Sequence, residues 1–233
     1  MKLRKGMILA AGFGKRMKPI TEKIPKPLIS FGGETILENC ILTLKKFGVK
    51  KIIINIHYLS NKIENFIYSK KFDVDISLIK EKNTILDTGG GILNATVEFD
   101  DDPFIVLNPD TIWNSQHIGE FESLEKIYFD KNTAALLLVN KNKSFDKSFK
   151  GDFNINSNGL VSRSTSNQMI YTGAQIINRK IFHNHIIKPF SMNKIWDELI
   201  VKNALMGFES HQEFLHISTK EIYQRLVRER LTR

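Results

Sequence analysis

Between Ala10 and Leu28 the chain concentrates glycines, cations and prolines, reading Ala11-Gly12-Phe13-Gly14-Lys15-Arg16-Met17 and then Pro25-Lys26-Pro27-Leu28. Glycines that follow a strand let backbone amides approach a phosphate, and cations just after them can neutralise it. A dinucleotide fingerprint wants a third glycine where Met17 stands and a ribose-binding acid about 20 residues on at a strand end. Both are missing, since Glu34 lies in a Gly-Gly-Glu turn. The Walker pattern is absent too, because no Gly-Lys-Ser/Thr follows four spacer residues after a glycine. On its glycines alone the loop stays open to a second reading, a structural tight turn.

Two further segments carry chemistry. Asn108-Pro109-Asp110 ends an apolar run and places a carboxylate where a strand stops, a hard oxygen ligand suited to Mg²⁺. Asp is also a favoured helix cap, which is the alternative there. Asp87-Thr88-Gly89-Gly90-Gly91 offers backbone amides and carbonyls with no side chain in the way of a planar ring.

Something must bring these segments together. Apolar runs bounded by turn residues alternate with stretches of helical period up to Asn140, the pattern of βαβ units. Strands are predicted from Gly6 to Ala11, Lys51 to Ile56, Val74 to Lys80, Phe104 to Leu107 and Thr133 to Val139. Helices are predicted from Thr35 to Phe47, Asn61 to Lys70, Gly90 to Glu98 and Gln116 to Phe129. The first is the clearest, because Ile36, Leu37, Cys40, Ile41, Leu44 and Phe47 share one face and Gly48 follows as a stop. After Asn140 the texture changes. Short antiparallel strands with an Asn158-Gly159 turn are predicted within Gly151 to Arg163, then a strand from Ala174 to Ile177 and a helix from Lys194 to Met206. A short strand near Phe214 to Ile217 and a basic helix complete the chain. The expected fold is α/β, a Rossmann-like, doubly wound, mostly parallel mixed sheet with helices on both faces. Ligands in such sheets bind outside the carboxyl ends of strands, so the loops after the first strand, the Val74 strand and the Phe104 strand should line one cleft.

Composition narrows the partners. At 233 residues, 42% hydrophobic and 25% charged, the chain has room for a large core. Thirty-four Lys plus Arg against 25 Asp plus Glu leave +9, which favours a nucleotide, a sugar phosphate or a nucleic acid, or else decorates a solvated surface. No aromatic-basic recognition motif appears, which argues against nucleic acid. The apolar runs Ile52 to Ile56 and Ala134 to Val139 fall far short of the ~20 residues of a membrane span. Lys15 and Arg16 interrupt Met7 to Ala11 too soon for a signal peptide. Cys40 is the only cysteine, so intramolecular disulfides and cysteine-rich zinc sites are excluded and a cytoplasmic location is expected.

Leu9-Ala10-Ala11-Gly12-x-Gly14-x-Arg16-Met17-x-Pro19-x-Thr21, followed at once by Pro25-Lys26-Pro27-Leu28, resembles the signature of the sugar-1-phosphate nucleotidyltransferases. The resemblance continues in Asp87 to Gly91 and Asn108 to Asp110, and more weakly to the C-terminus. The motif order is most similar to that of the small uridylyltransferases acting on N-acetylmuramate 1-phosphate. Gly151-Asp152-Phe153, Tyr171-Thr172-Gly173-Ala174-Gln175 and Phe190 to Asp197 add to that likeness.

The resemblance implies the nucleotide-diphospho-sugar transferase type of fold in a single domain, 1–233, with 1–140 binding nucleotide and 141–233 binding sugar and closing the site. It implies transfer of a nucleoside monophosphate from a nucleoside triphosphate, UTP first, to a sugar 1-phosphate. Pyrophosphate is released, and Mg²⁺, with Mn²⁺ as the alternative, is the cofactor. Such a reaction brings anions together, so the protein's task is alignment and charge neutralisation. Arg16 is expected to clamp the leaving phosphates, Lys26 to sit as a point charge near the α-phosphate and the incoming sugar phosphate, and Asp110 to hold the metal. Leu9, Ala10, Ala11, Gly12, Gly14, Lys15, Glu81, Thr88, Gly89 and Gly90 are expected around the nucleotide, and Asn108, Asp152, Gly173 and Ala174 around the sugar. For Lys15 and Glu81 a solvated charge is the alternative, and for Trp196, Asp197 and Glu198 helix packing and solvation are preferred over catalysis.

One departure stands out. Many members of the resembled family end in Trp-x-Asp-x-Gly-Thr, whose Asp gives the metal a second carboxylate; here the stretch is Phe214-Leu215-His216-Ile217-Ser218-Thr219. His216 is read either as a metal ligand better suited to Mn²⁺ or, slightly preferred, as a phosphate contact. The other five histidines show no ligand spacing. The runner-up activity is guanylyl transfer to mannose 1-phosphate or a heptose phosphate, and a second alternative is a catalytically weak nucleotide-binding regulatory protein. Partners are thus a nucleoside triphosphate and a sugar 1-phosphate, with no nucleic acid and no membrane, in a monomer or homodimer.

Overall fold

The structure is a computed structural model and describes residues 2–231. In chain order the strands are β1 (Lys5–Leu9), β2 (Ser30–Phe31), β3 (Glu34–Thr35), β4 (Lys51–Ile56), β5 (Asp75–Lys80), β6 (Phe104–Leu107), β7 (Ala134–Asn140), β8 (Asn154–Ile155), β9 (Val161–Ser162), β10 (Met169–Ile177) and β11 (Leu205–Ser210). The α-helices are α1 (Ile20–Lys23), α2 (Ile36–Phe47), α3 (Ser60–Ser69), α4 (Asp87–Ala95), α5 (His117–Lys131), α6 (Met192–Val201) and α7 (Lys220–Arg230). Seven strands form one sheet in the order β11-β7-β10-β6-β1-β4-β5, and β2-β3 and β8-β9 are separate hairpins. Within the large sheet β10 alone runs antiparallel, against both β6 and β7. This is the mostly parallel mixed sheet that the alternation predicts.

Successive residues of the central strands feed opposite faces. Ile8, Ile52, Ile54, Ile105 and Leu107 pack with Leu37, Cys40, Ile41 and Leu44 of α2 and Phe121 and Leu124 of α5. Met7, Ile53 and Val106 pack on the other face with Ile92 and Leu93 of α4 and Ile195 and Trp196 of α6. The start of α2 is capped by Thr35, whose Oγ1 accepts from Glu38 N at 3.1 Å, a contact worth ~1 kcal/mol. Gly48 ends the helix at φ 105°. Among the described residues no helix is long and apolar enough to cross a membrane.

Cys40 is wholly buried and its Sγ donates to Asn108 O at 3.6 Å. Burial pushes its thiol far up, so a thiol reagent should label the folded protein very slowly and the denatured protein at once. Rapid labelling without denaturant would contradict this placement.

Three differences from the predicted elements bear on the site. The helix predicted to reach Met206 stops at Val201, and Leu205 and Met206 instead pair with Ala134 and Ala135 as the edge strand β11. An apolar run alone does not separate helix from buried strand. Phe214 to Ile217 forms no strand and meets its neighbours through isolated bridges, Ser144 with Phe214 and Thr111 with His216. β10 begins at Met169 rather than Ala174, and since Ala174 pairs with Leu107, its added residues lie beside the carboxyl end of β6. The predicted basic helix is α7. Its Leu226 packs with Met17, Ile29, Ile36, Phe145 and Ile217, so the end of the chain braces the glycine loop.

Candidate active site

The loops leaving β1 and β6, with the start of α4, enclose a cleft of about 330 Å³. From the expected set it gathers Leu9, Ala10, Ala11, Gly12, Gly14, Lys15, Arg16, Lys26, Thr88, Asn108 and Asp110. Met17, Pro27, Asn55, Ile85, Asp87, Pro109 and Ser218 complete the wall.

The two loop glycines serve different ends. A Cβ on Gly12 would meet nothing within 4 Å, so the backbone there stays open to a ligand. Gly14 has φ 62°, and a Cβ would stand 2.9 Å from Thr21 Cγ2 and 3.1 Å from Lys26 Cβ. Its carbonyl accepts from Thr21 Oγ1 at 2.9 Å and from Met17 N at 2.8 Å, which locks the turn over Lys26. Arg16 is exposed at the cleft and has no hydrogen bond or ion pair among the described residues. Lys15 Nζ lies 5.4 Å from the centre of the Phe13 ring.

Opposite this loop, Asp110 receives two cationic or polar partners on one oxygen. Lys26 Nζ is 2.6 Å and His216 Nε2 is 3.2 Å from its Oδ2. Burial on its own would raise the Asp110 carboxyl, but Lys26 and His216 outweigh it and hold the group well below the usual carboxylate range. Oδ1 is buried with no hydrogen-bond partner. A divalent cation that keeps several waters and shares substrate phosphates needs only such a free, ionised carboxylate oxygen, so the residues present fit Mg²⁺. Among the described residues no group of three or more His, Cys, Asp or Glu could cage an ion.

His216 does not line the cleft. Its ring stacks on Phe214 with centroids 5.5 Å apart, Nε2 turns to Asp110, and Nδ1 is buried without a partner. The ring thus stands behind Asp110, with Nε2 on the carboxylate.

On the base side the structure departs from the expected amide reading. Gly89 N and Gly90 N both donate to Phe190 O, at 2.9 and 3.1 Å, so neither amide points at a ligand. A Cβ on Gly90 would lie 2.1 Å from Lys188 O; these glycines exist to let the 188–190 segment close on the helix start. Glu81 is neither solvated nor in the cleft wall. It is 3% exposed and accepts from Asn55 Nδ2 and Leu86 N, each at 2.7 Å. On the sugar side Asn108 borders the cleft with a buried, unpartnered Oδ1. Asp152 is spent on Tyr171 N, which donates to its Oδ2 at 2.9 Å. Gly173 supports Asn108 by accepting from its N at 2.8 Å, and Ala174 is fully buried in the sheet core with no surface for a sugar. Trp196 donates to Gln175, Asp197 pairs with Arg163 and Glu198 with His185.

Residues 5–147 match the family model for nucleotidyl transferases. The chain belongs to that family. Over 219 residues it is 26% identical to the N-acetylmuramate alpha-1-phosphate uridylyltransferase of Caulobacter vibrioides, a match covering 91% of this chain and 90% of that one. It is 29% identical over 216 residues to the mannose-1-phosphate guanyltransferase of Gibberella zeae, covering 88% of this chain but 58% of that protein. In fold it is similar to HddC from Yersinia pseudotuberculosis, with a TM-score of 0.76 at 24% identity over 96% of this chain and 97% of that one.

Asn55 and Ser218 are polar residues of this nucleotidyltransferase's cleft wall that lie outside the expected site set. Asn55 Oδ1 accepts from Ala10 N at 3.0 Å while its amide reaches Glu81, so one side chain ties the glycine loop to the approach of α4. Its one sequence signal is a polar residue inside the apolar run Ile52 to Ile56. Ser218 joins the cleft wall and donates Oγ to Asp146 Oδ2 at 2.7 Å, while Ser148 N and Oγ hold Oδ1 at 3.0 and 2.6 Å. Burial works against the Asp146 carboxylate, but these serine bonds win and keep its carboxyl below the ordinary range.

Proposed function

We propose that this chain transfers a uridylyl group from UTP to N-acetylmuramate 1-phosphate, releasing pyrophosphate. The observation that carries the reading is the meeting of Arg16, Lys26 and Asp110 around one cleft beside an open glycine backbone. In this reaction an oxygen of the sugar phosphate bonds to the α-phosphorus as the bond to the bridging oxygen of pyrophosphate breaks. Arg16, which has no hydrogen-bond or ion-pair partner among the described residues to give up, presents its planar fork to the departing phosphates. Lys26, held between Pro25 and Pro27 and anchored on Asp110, sets a fixed positive charge where the two reacting phosphates meet. Asp110 Oδ1 would hold Mg²⁺ or Mn²⁺, which when bound supplies charge neutralisation at the α-phosphate and the leaving pyrophosphate. The base lies between the backbone of Ala10 to Gly12 and the side chains of Ile85, Asp87 and Thr88. Thr88 is fixed there because its Oγ1 accepts from Met192 N at 2.8 Å.

Uridylyl transfer is favoured by the Asp87 to Gly91 segment and by a uridylyltransferase relative matched along nearly the whole of both chains. Guanylyl transfer to mannose 1-phosphate is the second reading, supported by the 29% identity to a guanyltransferase. Pyrophosphate release measured with four nucleoside triphosphates and a small panel of sugar 1-phosphates separates them. UTP is expected to outcompete GTP. A tenfold or greater preference for GTP moves the assignment to guanylyl transfer, and no release with any pair removes the transferase reading.

A further inference from the structure

A second cavity, of about 760 Å³, lies away from the cleft and shares no lining residue with it. Its position follows from the sheet. The cleft opens at the carboxyl ends of β1 and β6, whereas β10 runs antiparallel and ends at Ile177, opposite Phe104, the first residue of β6. The cavity forms where the chain leaves β10, between the segment from Arg179 to Ile187 and the far end of α4, at Leu93 and Val97. Its size suits a small organic molecule rather than a single ion.

Two kinds of surface meet there. Leu93 and Phe182 are buried in the wall, and Val97, Ile186 and Ile187 are exposed, an apolar cluster left to solvent. The cations are unequally engaged. Lys180 Nζ lies 3.2 Å from Asp101 Oδ2, His185 Nε2 lies 3.1 Å from Glu198 Oε2, and His183 Nδ1 is 2.9 Å from Lys180 O. Arg179 differs from them. It has no ion pair among the described residues, its Nη2 donates to Leu93 O at a long 3.4 Å, and its Nε is buried without a hydrogen-bond partner. A guanidinium so placed, short of acceptors, gains from an anion that meets its planar fork. Asp100, exposed on the same wall, disfavours a second negative charge, and Lys180 is already neutralised by Asp101, which favours a carboxylate over a doubly charged phosphate.

We infer that this cavity is a second binding site, for a carboxylate carried on an apolar body. Arg179 takes the carboxylate, and Val97, Ile186 and Ile187 cover the apolar part. No residue placed in the transfer reaction belongs to it, so the carboxylate and a triphosphate can be held at the same time.

Phenylacetate is the probe, with its neutral amide lacking the charge and acetate lacking the apolar body. In a ligand-detected NMR titration of the full chain, phenylacetate is expected to bind with a Kd of about 1 mM, and the other two about tenfold more weakly or worse. Arg179→Met removes the charge and keeps much of the stem. Ile186→Asp sets a negative charge on an exposed wall position, where folding is not at stake. Each should weaken phenylacetate about tenfold, while Arg16→Ala and saturating UTP leave its binding unchanged. Equal binding of the amide, unaltered binding in either cavity variant, displacement by UTP, or no saturable binding overturns the site and leaves the transferase reading intact.

Discussion

Asp110→Asn is expected to lower metal-dependent turnover by on the order of 10³-fold. The substitution keeps the shape of the side chain but removes its charge. A neutral amide offers Mg²⁺ a poor ligand and leaves Lys26 and His216 without the carboxylate that they share in the folded protein. Residual activity should need more Mg²⁺, which a titration of rate against the ion measures; an unchanged titration would place the metal elsewhere. The stability signature has a definite sign. Asp110 is held well below the usual carboxylate range when folded, so its contribution is present above the unfolded value of ~3.9 and is lost as pH falls toward the folded one. The stability difference between the unsubstituted protein and Asp110→Asn should therefore shrink as pH falls below about 4. A difference that stayed constant below about pH 4 would contradict an ionised, paired Asp110.

Lys26→Ala should cost about 10²-fold or more in turnover, by the measure of other lost electrostatic contacts to a transferring group. The side chain is mostly buried, 14% exposed, so no neighbouring water replaces the charge easily, and among the described residues Asp110 Oδ2 is left with the His216 ring as its partner. Arg16→Ala should cost a similar factor for a different reason. Arg16 has no hydrogen bond or ion pair to lose among the described residues, so its loss should fall on the triphosphate alone and leave the melting temperature unchanged, whereas Lys26→Ala should move both. Steady-state rates with each substrate varied, together with thermal melts, distinguish the two. Near-normal rates in both variants would remove the phosphate-cradle assignment.

Much of the fold and part of the site were legible in the residue order. Period-two and helical patterns, together with stop residues such as Gly48, are local properties, and they place β1, β4, β6 and α2 almost residue by residue. The glycine loop and the proline-braced Lys26 lie within a few residues of one another, so their proximity needed no knowledge of the fold. Elements such as β11 were harder, because Leu205 and Met206 become a strand only by pairing with β7, a partner some seventy residues away.

What the sequence by itself determined is the chemistry on offer: an open glycine backbone, two cations, a carboxylate at a strand end and a chain suited to a mostly parallel sheet. Only the tertiary structure decided how that chemistry is arranged. Glu81 reads as a charge beside a loop, yet folding buries it under Asn55 and Leu86. Gly89 and Gly90 read as base-facing amides, yet Phe190 O, from a segment far along the chain, occupies them. His216 reads as a ligand or phosphate contact, yet the bridge between Thr111 and its own backbone turns its ring onto Asp110. In each case one deciding partner, Asn55, Phe190 or Thr111, is distant in sequence, and a buried donor or acceptor takes whichever partner the packing delivers, because leaving it unpaired costs more than local preference can offset.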